Sequence, residues 1–166
     1  MRVLGVDPGL VRTGWAAVES NGSGYRLVDS GLIAPPADGE LAERLADGFA
    51  RFSGVLDELL PDVVVLEEIF SAPRHPAAAL RMAHMRGVLC LAAGQRALHV
   101  EPMTATTVKQ RVTGSGHASK EQVREMVLRL CGLGPQEMRA DVSDAIALAV
   151  AGLNQLERGL PQGNRR

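Results

Sequence analysis

Apolar and polar positions along this chain follow two periods in turn. Val3–Asp7 is a short apolar run that ends in acid, and Val63–Leu66 is another, followed by Glu67 and Glu68. Short runs bounded by turn signals predict strands covered on both faces. Asp7-Pro8-Gly9 predicts a tight turn, because proline fixes φ and glycine admits positive φ. Thr13–Glu19 and Tyr25–Ile33 predict two more strands, joined around Asn21-Gly22-Ser23-Gly24, a hairpin signal. The first three strands thus predict an antiparallel meander, which Pro35-Pro36 ends.

The period then changes. From Leu41 to Leu60, apolar residues fall at 41, 42, 45, 46, 49, 52, 56, 59 and 60, which is helical spacing. Pro76–Ala97 predicts a long, mostly apolar helix, Leu98–Val100 a short strand and Thr104–Val112 a helix. Thr113-Gly114-Ser115-Gly116 predicts a flexible loop. Ser119, with Gln122 three residues on, predicts a capping box opening the next helix. Ala140–Leu156 predicts the last helix, apolar at 142, 145, 146, 149, 150 and 153. The order βββαβαβααα predicts an α/β fold: one five-stranded mixed sheet with helices on both faces. Its first three strands are antiparallel, and the fourth and fifth run parallel. Residues 1–157 read as a single domain and 158–166 as a disordered tail.

Composition narrows the class. Apolar residues make up 46% of the 166 and charged residues 22%, ordinary for a soluble globular protein. No apolar run approaches the roughly 18–20 residues needed to cross a bilayer. The N-terminus reads as a strand and not as an export signal. Cys90 and Cys131 sit in helical apolar patterns and predict reduced thiols in a cytoplasmic protein. Net charge is −1, yet it is unevenly spread. Residues 38–68 carry nine acids against two bases, and residues 74–129 carry nine bases against three acids. That asymmetry fits a basic face for a polyanion, or simply an uneven solvated surface.

The carboxylates carry the candidate chemistry. If the first and fourth strands are parallel neighbours, Asp7 and Glu67 emerge side by side at the edge where ligands gather. Glu68 competes with Glu67, because alternation along a strand turns only one of them to the site. Asp141 and Asp144, three residues apart, share one face at the start of the last helix. Singly, each has an ordinary structural reading as turn former, cap or first-turn acid. Together, four carboxylates at one edge repel each other unless a hard cation joins them. All-oxygen ligation without paired His or Cys suits Mg²⁺ or Mn²⁺. Two such ions would activate a water and stabilise the leaving oxygen of a phosphodiester.

VLGVDPGLVRTGWA, VVLEEIF, MRGV, VKQRVTGSGHASKEQV and ADVSDAIALAV resemble, in order and spacing, the RuvC family of Holliday junction resolvases, from about residue 1 to 155. The resemblance implies an RNase H-like fold. It also implies a homodimer that nicks two strands of like polarity in a four-way DNA junction, leaving 5′-phosphate and 3′-hydroxyl ends. It places the catalytic acids on Asp7, Glu67, Asp141 and Asp144, which favours Glu67 over Glu68. It places the catalytic-region lysines on Lys109 and Lys120, and a base-contacting aromatic on Phe70. A RuvA–RuvB branch-migration complex is the implied protein partner, and no membrane is involved.

The residue readings add to this. Phe70 follows the fourth strand, where it could stack on an unpaired base or plug the core. Lys120 suits transition-state charge or a phosphate contact, and Arg74, Lys109 and Arg111 suit phosphate contacts; a solvated surface is the plain alternative. The 77–91 stretch has more apolar positions than one core-facing stripe needs, consistent with a dimer face. Three competing readings remain: an RNA-directed nuclease of the same fold, a non-catalytic junction-binding protein, and a member of the sugar-kinase and actin superfamily. The last needs two domains and a second phosphate loop, and neither is visible in the sequence.

Overall fold

The computed structural model describes residues 1–20, 24–68, 76–134 and 138–159. Its elements in chain order are β1 (Arg2–Asp7), β2 (Thr13–Ser20), β3 (Tyr25–Ile33), α1 (Leu41–Leu59), β4 (Val63–Glu67), α2 (Pro76–Gly94), β5 (His99–Met103), α3 (Ala105–Thr113), α4 (Lys120–Leu130) and α5 (Ala140–Gly159). They form one five-stranded sheet in the order β3-β2-β1-β4-β5. β1 pairs antiparallel with β2 and β2 with β3, while β1–β4 and β4–β5 are parallel. The predicted βββαβαβααα order and strand directions are those observed.

Alternation along the central strands sends side chains to two cores. Leu4, Val6, Val64 and Leu66 face Phe52 and Leu56 of α1 and Met85 and Leu89 of α2. Val3, Val65, Ala16 and Val18 face α5, with α3 and α4 beyond it. Both faces of β1 and β4 are therefore covered, which is why these strands read as unbroken apolar runs.

Several boundaries differ from the sequence expectation, each for a local reason. α1 stops at Leu59 because Leu60 adopts φ 45° and Pro61 cannot continue the helix. α2 ends at Gly94, not Ala97; a turn follows in which Ala97 has φ 52°. β5 extends to Met103 although only its parallel pairing with β4 supports it, since Pro102 and His99 carry no apolar signal. Thr104 is the cap of α3, its Oγ1 accepting from Thr107 N at 3.1 Å. The 113–116 segment, predicted flexible from its Gly and Ser content, is tied down. Gln110 Nε2 donates to the Gly114 carbonyl at 2.7 Å, and Gly116 N donates to Gln110 Oε1 at 2.9 Å. The capping box is present as predicted, with Ser119 N donating to Gln122 Oε1 and Gln122 N to Ser119 Oγ.

α5 departs most from expectation. A single apolar stripe was predicted, yet Ala147, Leu148 and Ala151 are also buried, because the helix lies between the sheet and the α3–α4 pair. Two glycines allow this close approach. A Cβ at Gly5 would stand 2.1 Å from the Ala145 carbonyl oxygen, and one at Gly14 would stand 2.1 Å from that of Asp141. Cys90 and Cys131 are free thiols, and burial pushes Cys131 up to about 11. Among the described residues, no helix is long and apolar enough to cross a membrane.

Candidate active site

The parallel register explains where the acids meet. Val6 pairs with Leu66, so Asp7 and Glu67, the next residues, leave the sheet together at its C-terminal edge. Gly14 pairs with Asp7 from the other side and also touches the first turn of α5. That turn carries Asp141, and Asp144 follows less than one turn later. The backbone approach at Gly14 thus sets the start of α5 against the end of β1.

The loop from Asp7 to Thr13 is closed by one buried side chain. Thr13 Oγ1 accepts from Gly9 N at 3.2 Å and donates to the Gly9 carbonyl at 3.0 Å. Arg44 of α1 reaches the same loop, its Nη2 donating to the Leu10 carbonyl at 2.8 Å. On the neighbouring strand, Arg86 of α2 donates from Nε to the Glu67 carbonyl at 3.1 Å. None of these three was singled out as a site residue from sequence. Each works through a main-chain partner distant along the chain, and no local pattern marks such contacts.

The electrostatics record the convergence. The Asp7 carboxyl is raised from an ordinary 3.8 to about 8, first by burial, then by the hydrogen bond it shares with Glu67, then by the charges of Glu67, Asp144 and Asp141. Burial disfavours its ionised form and three neighbouring acids compound this. Glu67 is the partner here; Glu68, one step on, is exposed and its backbone N donates to the Met103 carbonyl at 2.9 Å. Lys120 Nζ stands 3.0 Å from Asp144 Oδ2, and that contact raises the lysine further above its ordinary value.

Two clefts flank the cluster. One, of about 70 Å³, is lined by Glu67, Asp144, Lys109 and Lys120 with Ala105 and Val108. The other, of about 440 Å³, is lined by Asp141 and the Gly9–Arg12 loop together with Arg44 and Arg81. Lys109 and Lys120 therefore line a cleft together with Glu67 and Asp144. Arg111 lines neither cleft among the described residues; its carbonyl accepts from Asn154 of α5 at 3.4 Å. Phe70 and Arg74 lie outside the described residues.

The donor set fits a hard divalent cation: carboxylate oxygens from two strands and a helix, with no imidazole or thiolate contributed. A cation here would also relieve the repulsion that keeps a proton on Asp7. Among the described residues, no three acids are drawn tightly enough to hold an ion unaided. The acids interact electrostatically, and Lys120 already pairs with one of them.

Comparison with known proteins identifies the arrangement. The family described as "Crossover junction endodeoxyribonuclease RuvC" matches residues 3–152. A relative of that name from Neorickettsia sennetsu is 40% identical over 150 residues, covering 89% of this chain and 90% of its own. The Thermus thermophilus RuvC structure superposes with a TM-score of 0.88 at 30% identity, covering 96% of this chain and 97% of that one. The T. thermophilus RuvC structure in complex with a Holliday junction substrate gives 0.87 at 27% identity, covering 96% of each. The sheet and its helices are those of the RNase H-like fold found in these structures, and the chain belongs to the RuvC family.

Proposed function

We propose that Asp7, Glu67, Asp141 and Asp144 hydrolyse a DNA phosphodiester with the help of divalent cations at a four-way junction. As a RuvC-family member the chain is a Holliday junction resolving endonuclease. The observation that supports this site is the meeting of acids from β1, β4 and α5 at one sheet edge, with Lys120 beside them.

The four carboxylates would hold the cations, and Mg²⁺ or Mn²⁺, as two ions, is the specific proposal. When bound, such ions supply a Lewis acid for the phosphate and lower the pKa of an attacking water. With cations bound, Asp7 would be ionised and would serve as one of their ligands. Glu67 stays in place because Arg86 fixes its carbonyl. Lys120, held near Asp144, offsets negative charge that develops on the phosphate in the transition state.

Residues 1–157 are read as one nuclease domain acting in a homodimer. Its two-fold axis would match the junction's and set one site on each of two strands of like polarity. Both nicks would leave 5′-phosphate and 3′-hydroxyl ends. Exposed Leu80 and Leu91 on α2 support that helix as the dimer face. Lys109, Arg111, Arg74 and Phe70 are read as DNA contacts. A RuvA–RuvB branch-migration complex is the proposed partner, on the family resemblance alone.

The test is cleavage of a mobile four-way junction with Mg²⁺, Mn²⁺ or EDTA, both nicks being mapped. Asp7→Asn should lose cleavage by at least about 10³-fold and keep junction affinity, because basic side chains carry affinity. A variant that cuts at the normal rate removes Asp7 from the chemistry. Equal cleavage of plain duplex or of an RNA–DNA hybrid would replace the junction as substrate.

A further inference from the structure

The larger of the two clefts has no role in the chemistry above. Its walls are the loop that follows Asp7, Arg44 near the start of α1, Arg81 and Met82 in the second turn of α2, and Asp141. Arg12, Arg44 and Arg81 line it together with Asp141. Arg44 is anchored by its bond to the Leu10 carbonyl, while its Nε is buried with no hydrogen-bond partner among the described residues. Arg12 and Arg81 are exposed and make no hydrogen bond or ion pair with any described residue. Arg12 and Arg81, unpaired among the described residues, therefore line one space, with Arg44 beside them.

The cleft is not an isolated surface feature. Asp141 belongs both to its wall and to the acid cluster, so the cleft adjoins the cluster at that residue. Lys109 and Lys120 lie in the other cleft, with Asp144. A strand lying across the cluster would meet lysines on one side and arginines on the other.

We propose that the Arg12–Arg44–Arg81 cleft binds a backbone phosphate of the DNA strand being cut, one flanking the scissile phosphate on the side opposite Lys109 and Lys120. Guanidinium groups present paired N–H donors matched to phosphate oxygens. At about 440 Å³ the cleft has room for a phosphodiester with part of its sugar. The Asp141 carboxylate on its wall disfavours a free phosphate dianion relative to a singly charged diester. The inference rests on the nuclease reading of the cluster, and deepens it by giving the strand a track.

The test measures junction binding in EDTA across a salt series for the wild type, Arg12→Ala/Arg81→Ala and Arg12→Lys/Arg81→Lys. Arg44 is left alone because it also holds the loop. The alanine pair should weaken binding about tenfold and lower the slope of log Kd against log salt by roughly 1 to 2. The lysine pair should keep most of that slope. Cleavage by the alanine pair should show a raised KM with kcat within about threefold of wild type. A scan of single methylphosphonates along the cut strand then locates the contact. Neutralising the flanking phosphate should weaken wild-type binding and add nothing to the alanine pair. If wild type binds normally while the alanine pair matches it in affinity and slope, the subsite is overturned alone. If inorganic phosphate protects the cleft as well as the junction does, the diester assignment is overturned. Failure of wild type to bind any four-way junction overturns the nuclease reading, and this subsite with it.

Discussion

α2 and α5 are similar in length and both are rich in Ala, Leu and Val, yet the fold treats them differently. α5 is buried almost without a break from Val142 to Leu153, held between the sheet and α3–α4. α2 buries Met85, Leu89, Ala92 and Ala93 against α1 and the sheet but leaves Leu80 at 63% and Leu91 at 56% exposure. An apolar helix covered on all sides positions its polar residues rigidly, and here those are Asp141 and Asp144. An apolar helix covered on one side has a second face to offer. On the proposed function, the same composition would serve catalysis in one place and assembly in the other.

The contrast is sharpest at Gly5, where α5 lies on β1. Gly5→Val would force its side chain into the Ala145 carbonyl and should abolish folding, a loss of more than about 4 kcal/mol. Far-UV circular dichroism and thermal melting would register it. Ile146→Ala, which empties a fully buried position on α5, should lower stability by about 2–5 kcal/mol in denaturant titration. An equal loss from an exposed α2 leucine would erase the distinction between the helices.

A smaller effect concerns the charge that α5 brings to Asp7. The folded protein keeps a proton on Asp7 that the unfolded chain releases near 3.8, so stability without metal falls as pH rises from about 4 to about 8. Asp7→Asn should therefore raise stability in EDTA at pH 8 by on the order of 1–3 kcal/mol, read as a higher melting temperature, and the gain should fade toward pH 4. A destabilised variant at pH 8 would contradict the crowding of acids at this edge. The smallest effect on the fold belongs to α2. Leu80→Glu with Leu91→Glu should change monomer stability by less than about 0.5 kcal/mol each while shifting sedimentation from dimer to monomer. An unchanged dimer would remove α2 from the interface.

Much of this was legible in the sequence because the central strands are covered on both faces. Val3–Asp7 and Val63–Glu67 announce themselves as apolar runs, and their parallel pairing follows from the order of elements. The acids at their ends were legible for the same reason, since a charge closing a buried run stands out. β5 was shortened because His99–Met103 is half-buried at the sheet's edge and lacks such a run. The full burial of α5 was missed because its alanines fit an exposed helix as well as a buried one. The 113–116 loop was read as mobile because composition cannot show that Gln110 reaches back across it. The roles of Thr13, Arg44 and Arg86 were hidden because each bonds to backbone, and a backbone carbonyl has no identity in a sequence.

Asp141 and Asp144 are three residues apart on a helix whose rise is about 1.5 Å per residue. Their spacing along the axis is therefore set by hydrogen-bond geometry and not by any loop. With that helix wedged between a sheet and two neighbours, this half of the active site behaves as a fixed gauge. On the proposed function, whatever adjustment a DNA strand demands would come from the lysine and arginine side chains on either side and not from this helix.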